Sequence, residues 1–197
     1  MSIGFYIAFP IMVVLAILQS TVLPRFPLFG IVPQLWFLFT IAWALHRGLE
    51  QGFVWAFIAG VIVDLFSASP MGVTTLALMT SVAAVVFLQR RLPANRIFIP
   101  ALLAALATII FWFVYLLLLR IIVPLTIENL QFLGISALAN SINSQDLIDD
   151  IAGRFSPSGS VLSFILGTTL LNAFLIVPVY WGLYALDRMF RPRRVEI

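Results

Sequence analysis

The sequence predicts an all-α polytopic membrane protein with six transmembrane helices. Of its 197 residues, 62% are hydrophobic and only 10% are charged, whereas a soluble domain is typically about 25% charged. Apolar runs, several near the roughly 20 residues that cross a bilayer, alternate with short segments that hold most of the charges. A water-soluble fold of this size could not bury so much apolar surface.

Six apolar runs account for most of the chain, which we expect to form a single transmembrane domain, 1–197. The predicted spans are residues 3–23, 32–45, 51–66, 71–88, 97–123 and 161–186. The second and third runs are short for about 30 Å of hydrocarbon, so we expect the bilayer to thin locally. The first run lacks a basic start and a small-residue cleavage site, which favours a retained span over a cleaved signal.

Proline and serine mark several of the predicted helix starts. Pro33 is expected in the first turn of the second span, where a missing N–H costs nothing. Ser69 is predicted to be the N-cap of the fourth span, with Pro70 as its first residue.

Residues 124–159 are the one long predicted connection and the most polar one. Within it, 144–155 has the pattern of a short amphipathic helix. Its apolar side would carry Leu147, Ile148, Ile151 and Phe155. We expect this segment either to rest on the outer leaflet or to contact a partner protein.

The distribution of arginines predicts the orientation. Loops 46–50 and 89–96 and the tail 187–197 carry eight Arg and three acids, whereas the opposite side carries three Arg and five acids. Because basic loops stay in the cytoplasm, both termini are expected inside and loop 124–159 outside. Arg90 and Arg91 are expected to contact anionic lipid head groups, with a cytoplasmic protein as the alternative.

Small residues at four-residue spacing lead to one acid in the third span. Gly52, Ala56 and Gly60 share a helix face that ends in Asp64. An acid near a membrane span is often a proton relay, ion ligand or substrate contact. The alternative is structural, since at the outer end of its span Asp64 could accept hydrogen bonds from the free N–H groups that open the fourth helix. The spacing leaves open whether the stripe packs within the chain or against another protein; packing within the chain is the simpler interpretation.

The composition points away from most catalytic chemistry. There is no Cys, and His46 is the sole histidine, so thiolate catalysis and a His/Cys metal site are excluded. No nucleotide-binding loop or pair of intramembrane acids is present. We therefore predict no catalytic residue, metal or cofactor, and the arginines fit membrane orientation better than nucleic-acid binding. Asn172, in the middle of the sixth span, is expected to hydrogen-bond between helices.

The segment 51–76 resembles the most characteristic segment of the MreD family, the rod shape-determining membrane proteins of bacteria. The shared features are a Gly-Phe opening, a Gly shortly before an Asp, a Ser-containing turn and a Gly at the next span. In this chain those positions are Gly52, Phe53, Gly60, Asp64, Ser67, Ser69 and Gly72. Gln19 and Pro33 also fit the family, so the likeness covers 19–76.

This resemblance implies a non-enzymatic scaffold of the cell-elongation machinery in the bacterial inner membrane, helping to regulate peptidoglycan synthesis. The implied partners are MreC, a single-span protein, and through it RodA, the penicillin-binding transpeptidase and the MreB filaments. It also implies the fold of the substrate-binding subunits of energy-coupling-factor transporters. The alternative function is therefore a small-molecule-binding subunit of such a vitamin transporter. Partner or lipid contacts are expected at Gln19, Pro33, Arg90, Arg91, Leu147, Ile148 and Ile151.

Overall fold

The computed structural model describes residues 3–25, 31–67, 70–92, 98–132 and 161–190. These residues form six α-helices and a short 3-10 turn at Leu23–Arg25. The helices are α1 (Ile3–Thr21), α2 (Leu35–Arg47), α3 (Leu49–Phe66), α4 (Val73–Gln89), α5 (Ile99–Phe132) and α6 (Val161–Phe190). The predicted all-helical class is confirmed for the part of the chain that the structure describes.

The short helix α2 lies at the centre of the bundle. It packs against all five other helices, while α1, α3, α4, α5 and α6 contact one another in that order around it. Phe37 and Leu38 on α2 are completely buried. With 13 residues, α2 is about 20 Å long at 1.5 Å per residue. It is therefore a core element enclosed by its neighbours.

Three helices in the described residues are long and apolar enough to cross a membrane: Leu49–Phe66, Ile99–Leu125 and Val161–Tyr184. The apolar stretches Phe9–Gln19 and Val73–Gln89 are shorter. Three membrane-spanning helices thus have structural support. The other spans of the six-span prediction, 3–23, 32–45 and 71–88, stay predictions.

The start of α2 differs from the prediction. The helix begins at Leu35 with Gln34 as its N-cap residue, so Pro33 lies before the helix and not in its first turn. Pro33 and Gln34 are nonetheless buried. The physical reason is a cap from another helix, because Gln19 Oε1 accepts a hydrogen bond from Leu35 N at 3.0 Å.

The start of α4 also differs. This helix begins at Val73, and its N-cap residue is Gly72, in the left-handed region with φ 95°. Pro70 therefore precedes the helix instead of being its first residue, and its carbonyl accepts a hydrogen bond from Val73 N at 3.3 Å. The predicted N-cap, Ser69, lies outside the described residues, but the observed helix start makes that assignment wrong.

The last two helices are longer than predicted. α5 continues through Pro124 to Phe132, whereas its predicted end was residue 123, so the first part of the predicted long connection is helical. Membrane helices tolerate an internal proline when neighbouring groups satisfy the freed backbone, and Pro178 lies inside α6 in the same way.

The predicted amphipathic segment, with Leu147, Ile148 and Ile151, lies outside the described residues.

Candidate functional site

The carboxylate of Asp64 joins the end of α3 to the beginning of α4. Its Oδ2 accepts hydrogen bonds from Gly72 N at 2.8 Å and from Thr75 N at 3.3 Å. Thr75 Oγ1 donates a further bond to Oδ2 at 3.0 Å, and Thr74 N donates to Oδ1 at 3.1 Å. We call these four residues the Asp64 junction.

The Asp64 junction has the physical character of a helix cap. The first N–H groups of an α-helix have no partner within the helix, and a carboxylate there also complements the helix dipole. Asp64 is 4% exposed, and four donors match the approximately four acceptor positions of a carboxylate. These four bonds support the structural alternative predicted for Asp64.

The stripe of small residues packs inside the chain. A Cβ atom on Gly60 would lie 2.7 Å from Thr75 Oγ1 and 2.9 Å from Thr75 Cβ. A Cβ atom on Gly52 would lie 2.6 Å from Ala44 Cβ on α2. Ala56, between the two glycines, is fully buried. The interpretation that the stripe serves internal packing is confirmed, since α4 and α2 occupy this face of α3.

Side chains of other helices cap α2 at both ends. Gln19 of α1 accepts from the backbone at its start, as described above. At its other end, Gln89 Nε2 of α4 donates to Leu45 O at 2.9 Å. The role of Gln89 was not predicted, because no local sequence pattern indicates that a glutamine reaches the end of a helix distant in sequence.

Aromatic rings gather at the end of α2 that carries Arg47. The rings of Trp43 and Trp55 stack with centroids 4.5 Å apart, and the Arg47 guanidinium lies 5.8 Å from the Trp43 centroid. His46 meets Tyr184 edge to face at 5.7 Å. These contacts are typical of packing and of cation–π attraction. Among the described residues, no group of three His, Cys, Asp or Glu could hold a metal ion.

The predicted site residues lie in separate regions of the bundle. Asp64 and Gly72 belong to the Asp64 junction, Gly60 packs against Thr75 of that junction, and Gln19 lies next to the start of α2. Arg90 and Arg91 are exposed beyond the end of α4, with Arg91 5.1 Å from the Phe87 ring centroid. Their contact with lipid or a partner stays a prediction.

A buried polar pair links α5 to α6. Asn172 Nδ2 donates to Thr108 Oγ1 at 3.2 Å, and the Thr108 hydroxyl donates to Ala104 O at 2.8 Å. Asn172 and Thr108 are both fully buried. The predicted interhelical role of Asn172 is confirmed.

Comparison with known families gives one match. The family described as rod shape-determining protein MreD matches residues 1–141. That range includes α1 to α5 and the whole Asp64 junction, whereas α6 lies beyond it. Neither a curated protein nor a solved structure matches the chain.

Proposed function

The chain belongs to the MreD family of rod shape-determining proteins, and on that premise we propose that it is a non-enzymatic membrane scaffold of the cell-elongation machinery. It binds MreC and, in the same assembly, influences peptidoglycan synthesis by RodA and its penicillin-binding transpeptidase. The MreB filaments are the proposed cytoplasmic partner. The proposed relation to the fold of energy-coupling-factor substrate-binding subunits rests on the family alone.

The observation that best supports a scaffold is a set of hydrogen bonds that polar side chains make between helices. Asp64, Gln19 and Gln89 lie near helix ends, and each side chain bonds to the backbone of a neighbouring helix. These bonds tie α1 to α2, α3 to α4, and α4 to α2. A platform whose helix ends are tied together holds a constant shape for a partner.

Helix α6 offers the platform a long apolar face. The exposed residues recur at four-residue spacing, which places them in one row. They are Leu162, Leu166, Leu170 and Phe174. In a bilayer such a row contacts lipid or the single span of a partner, and van der Waals packing, not hydrophobic transfer, decides between them.

We place the protein in the inner membrane with six spans and cytoplasmic termini. α5 has 34 residues, about 51 Å of helix, against about 30 Å of hydrocarbon. The Thr108–Asn172 bond sets α5 and α6 side by side, so the start of α6 at Val161 is level with Leu119 of α5. The exposed Arg120 near this level supports an outer boundary there, close to the predicted end of the span at 123. The rest of α5, about 12 residues or 18 Å, projects outside, where the partner's juxtamembrane segment can reach it.

Copurification tests this proposal. The tagged chain is extracted from membranes of its own host in mild detergent, and bound proteins are identified by mass spectrometry. We expect a single-span protein with an extracytoplasmic domain, together with peptidoglycan synthases. Recovery of ATPases and a coupling subunit, or of a bound vitamin, would instead support the transporter alternative and overturn the scaffold.

A further inference from the structure

Three buried polar atoms have no hydrogen-bond partner within the described part of the chain. They are Gln34 Oε1 just before α2, Trp112 Nε1 on α5 and Asn172 Oδ1 on α6. Each residue is at least nine-tenths buried, with exposures of 6%, 4% and 0%. α2, α5 and α6 all contact one another. Buried polar atoms are rarely left unpaired in native proteins.

The orientation of the Asn172 amide follows from its neighbours. The Thr108 hydroxyl already donates its one proton to Ala104 O, so it can only accept from Asn172. The Asn172 Nδ2 therefore points to Thr108, and Oδ1 is the atom left free. The unpaired acceptor is thus a consequence of a hydrogen-bond chain and not of an arbitrary amide assignment.

Contacts made by their neighbours place the three residues in one region of the bundle. Trp112 lies one helical turn from Thr108, the partner of Asn172. The ring of Phe111, next to Trp112, is 5.7 Å from the ring of Trp36, which follows Gln34 by two residues. A fourth unpaired atom, Trp43 Nε1, lies more than two turns further along α2 and does not belong to this group.

The chemistry of the three atoms specifies the ligand class. Two amide oxygens need donors, and one indole N–H needs an acceptor. α2 up to His46, α5 up to Leu119 and α6 up to Leu186 contain no Asp, Glu, Lys or Arg, so nothing at this level would compensate a charged ligand. A hydroxyl-bearing neutral molecule both donates and accepts, and a single water supplies two donors and an acceptor.

We propose that Gln34, Trp112 and Asn172 form an internal site between α2, α5 and α6 that binds a small neutral hydroxylic molecule, of which water is the smallest. The ligand donates to the two amide oxygens and accepts from the indole N–H. Such a bound molecule ties the non-helical entry to α2 to the α5–α6 pair. This site is independent of the proposed scaffold function.

The indole N–H of Trp112 gives a direct readout. The full chain is labelled with 15N-tryptophan in lipid nanodiscs, and the Trp112 signal is assigned as the one that Trp112→Phe removes. We expect a nuclear Overhauser cross-peak from this N–H either to water or to carbon-bound protons that do not belong to the protein. The first result identifies water, and the second an organic hydroxylic ligand, which is then identified by mass spectrometry of the extract.

Variants of the other two residues of the site provide a second test of the cross-peak. Asn172→Leu and Gln34→Leu each remove one contact to the ligand, so the cross-peak should be lost or weakened in both. Thr169→Val is the matched control, because Thr169 is 9% exposed on the same helix and its hydroxyl donates only to Ile165 O; the cross-peak should persist. A wild-type Trp112 signal without any such cross-peak overturns the proposal, as does a melting temperature that rises in Asn172→Leu.

Discussion

The Asp64 carboxylate at the end of α3 accepts a 2.8 Å hydrogen bond from the backbone N–H of Gly72, the N-cap residue of α4. An acid on one helix thus performs the capping that usually falls to the residue at the helix start. Gly72 has φ 95°, a left-handed conformation that glycine adopts without a steric penalty. The stretch 51–76, on which the resemblance to the family was based, therefore contains an interhelical cap.

Asp64→Asn should destabilise the protein. The amide keeps one acceptor oxygen but turns an NH₂ group toward backbone donors, so at least one charge-assisted bond is lost, at about 1.5–3 kcal/mol. Unfolding of the purified protein in detergent, followed by circular dichroism, measures the change. Glu50→Gln, an exposed acid in the first turn of the same helix, is the control and should change stability by less than about 0.5 kcal/mol. Equal stability with lost shape-determining activity would instead assign Asp64 a direct functional role.

Gly60→Ala should also destabilise, by about 1–3 kcal/mol, because the added methyl group overpacks the α3–α4 contact. Its Cβ would meet the backbone and side chain of Thr75. Gly182→Ala provides the matched control, since nothing lies within 4 Å of a Cβ at that helical position. The control should be neutral or gain up to about 1 kcal/mol from helix propensity. Thermal melting curves of the two variants, recorded under the same conditions, measure the difference in stability. Equal curves would contradict the close packing of α3 against α4.

Gln19→Leu should cost about 1–3 kcal/mol, because it leaves the buried start of α2 without a partner for Leu35 N. Gln51→Leu is the comparison: Gln51 is half-buried on α3. We expect the free energy of unfolding of Gln51→Leu to be close to that of the wild type. Hydrogen exchange at Leu35, followed by mass spectrometry, should speed up in Gln19→Leu alone. Unchanged exchange there would show that the cap does not hold α2.

The sequence predicts those structural features that depend on a local pattern of residues. α3 was predicted within two residues, and the role of Asp64 followed from placing it at the outer end of its span. The N-cap assigned to Ser69 was wrong, because the N-cap residue is Gly72 and the acceptor is Asp64, eight residues before it, which a rule for local N-caps does not consider. The central position of α2 was not predictable, since Leu38, buried in the core, and Leu170, exposed on α6, have the same hydropathy.

The absence of cysteine from the sequence makes the proposed outer boundary at Arg120 measurable with single-cysteine variants. Leu117→Cys and Leu125→Cys replace two exposed residues of α5, about 12 Å apart along the helix. A membrane-impermeant maleimide added from outside should label Cys at 125 and spare Cys at 117. Labelling of neither position would place the outer boundary beyond residue 125 and contradict a boundary at Arg120.

Binding of the proposed single-span partner, MreC, tests the proposed scaffold most directly. The purified chain is reconstituted in nanodiscs with a fluorescently labelled MreC that retains its membrane span, and the dissociation constant is determined by titration within the bilayer. We expect saturable one-to-one or higher-order binding, also for Glu50→Gln, and no binding of a single-span protein from outside the elongation machinery. Absence of saturable binding by a folded wild-type chain would overturn the proposed scaffold.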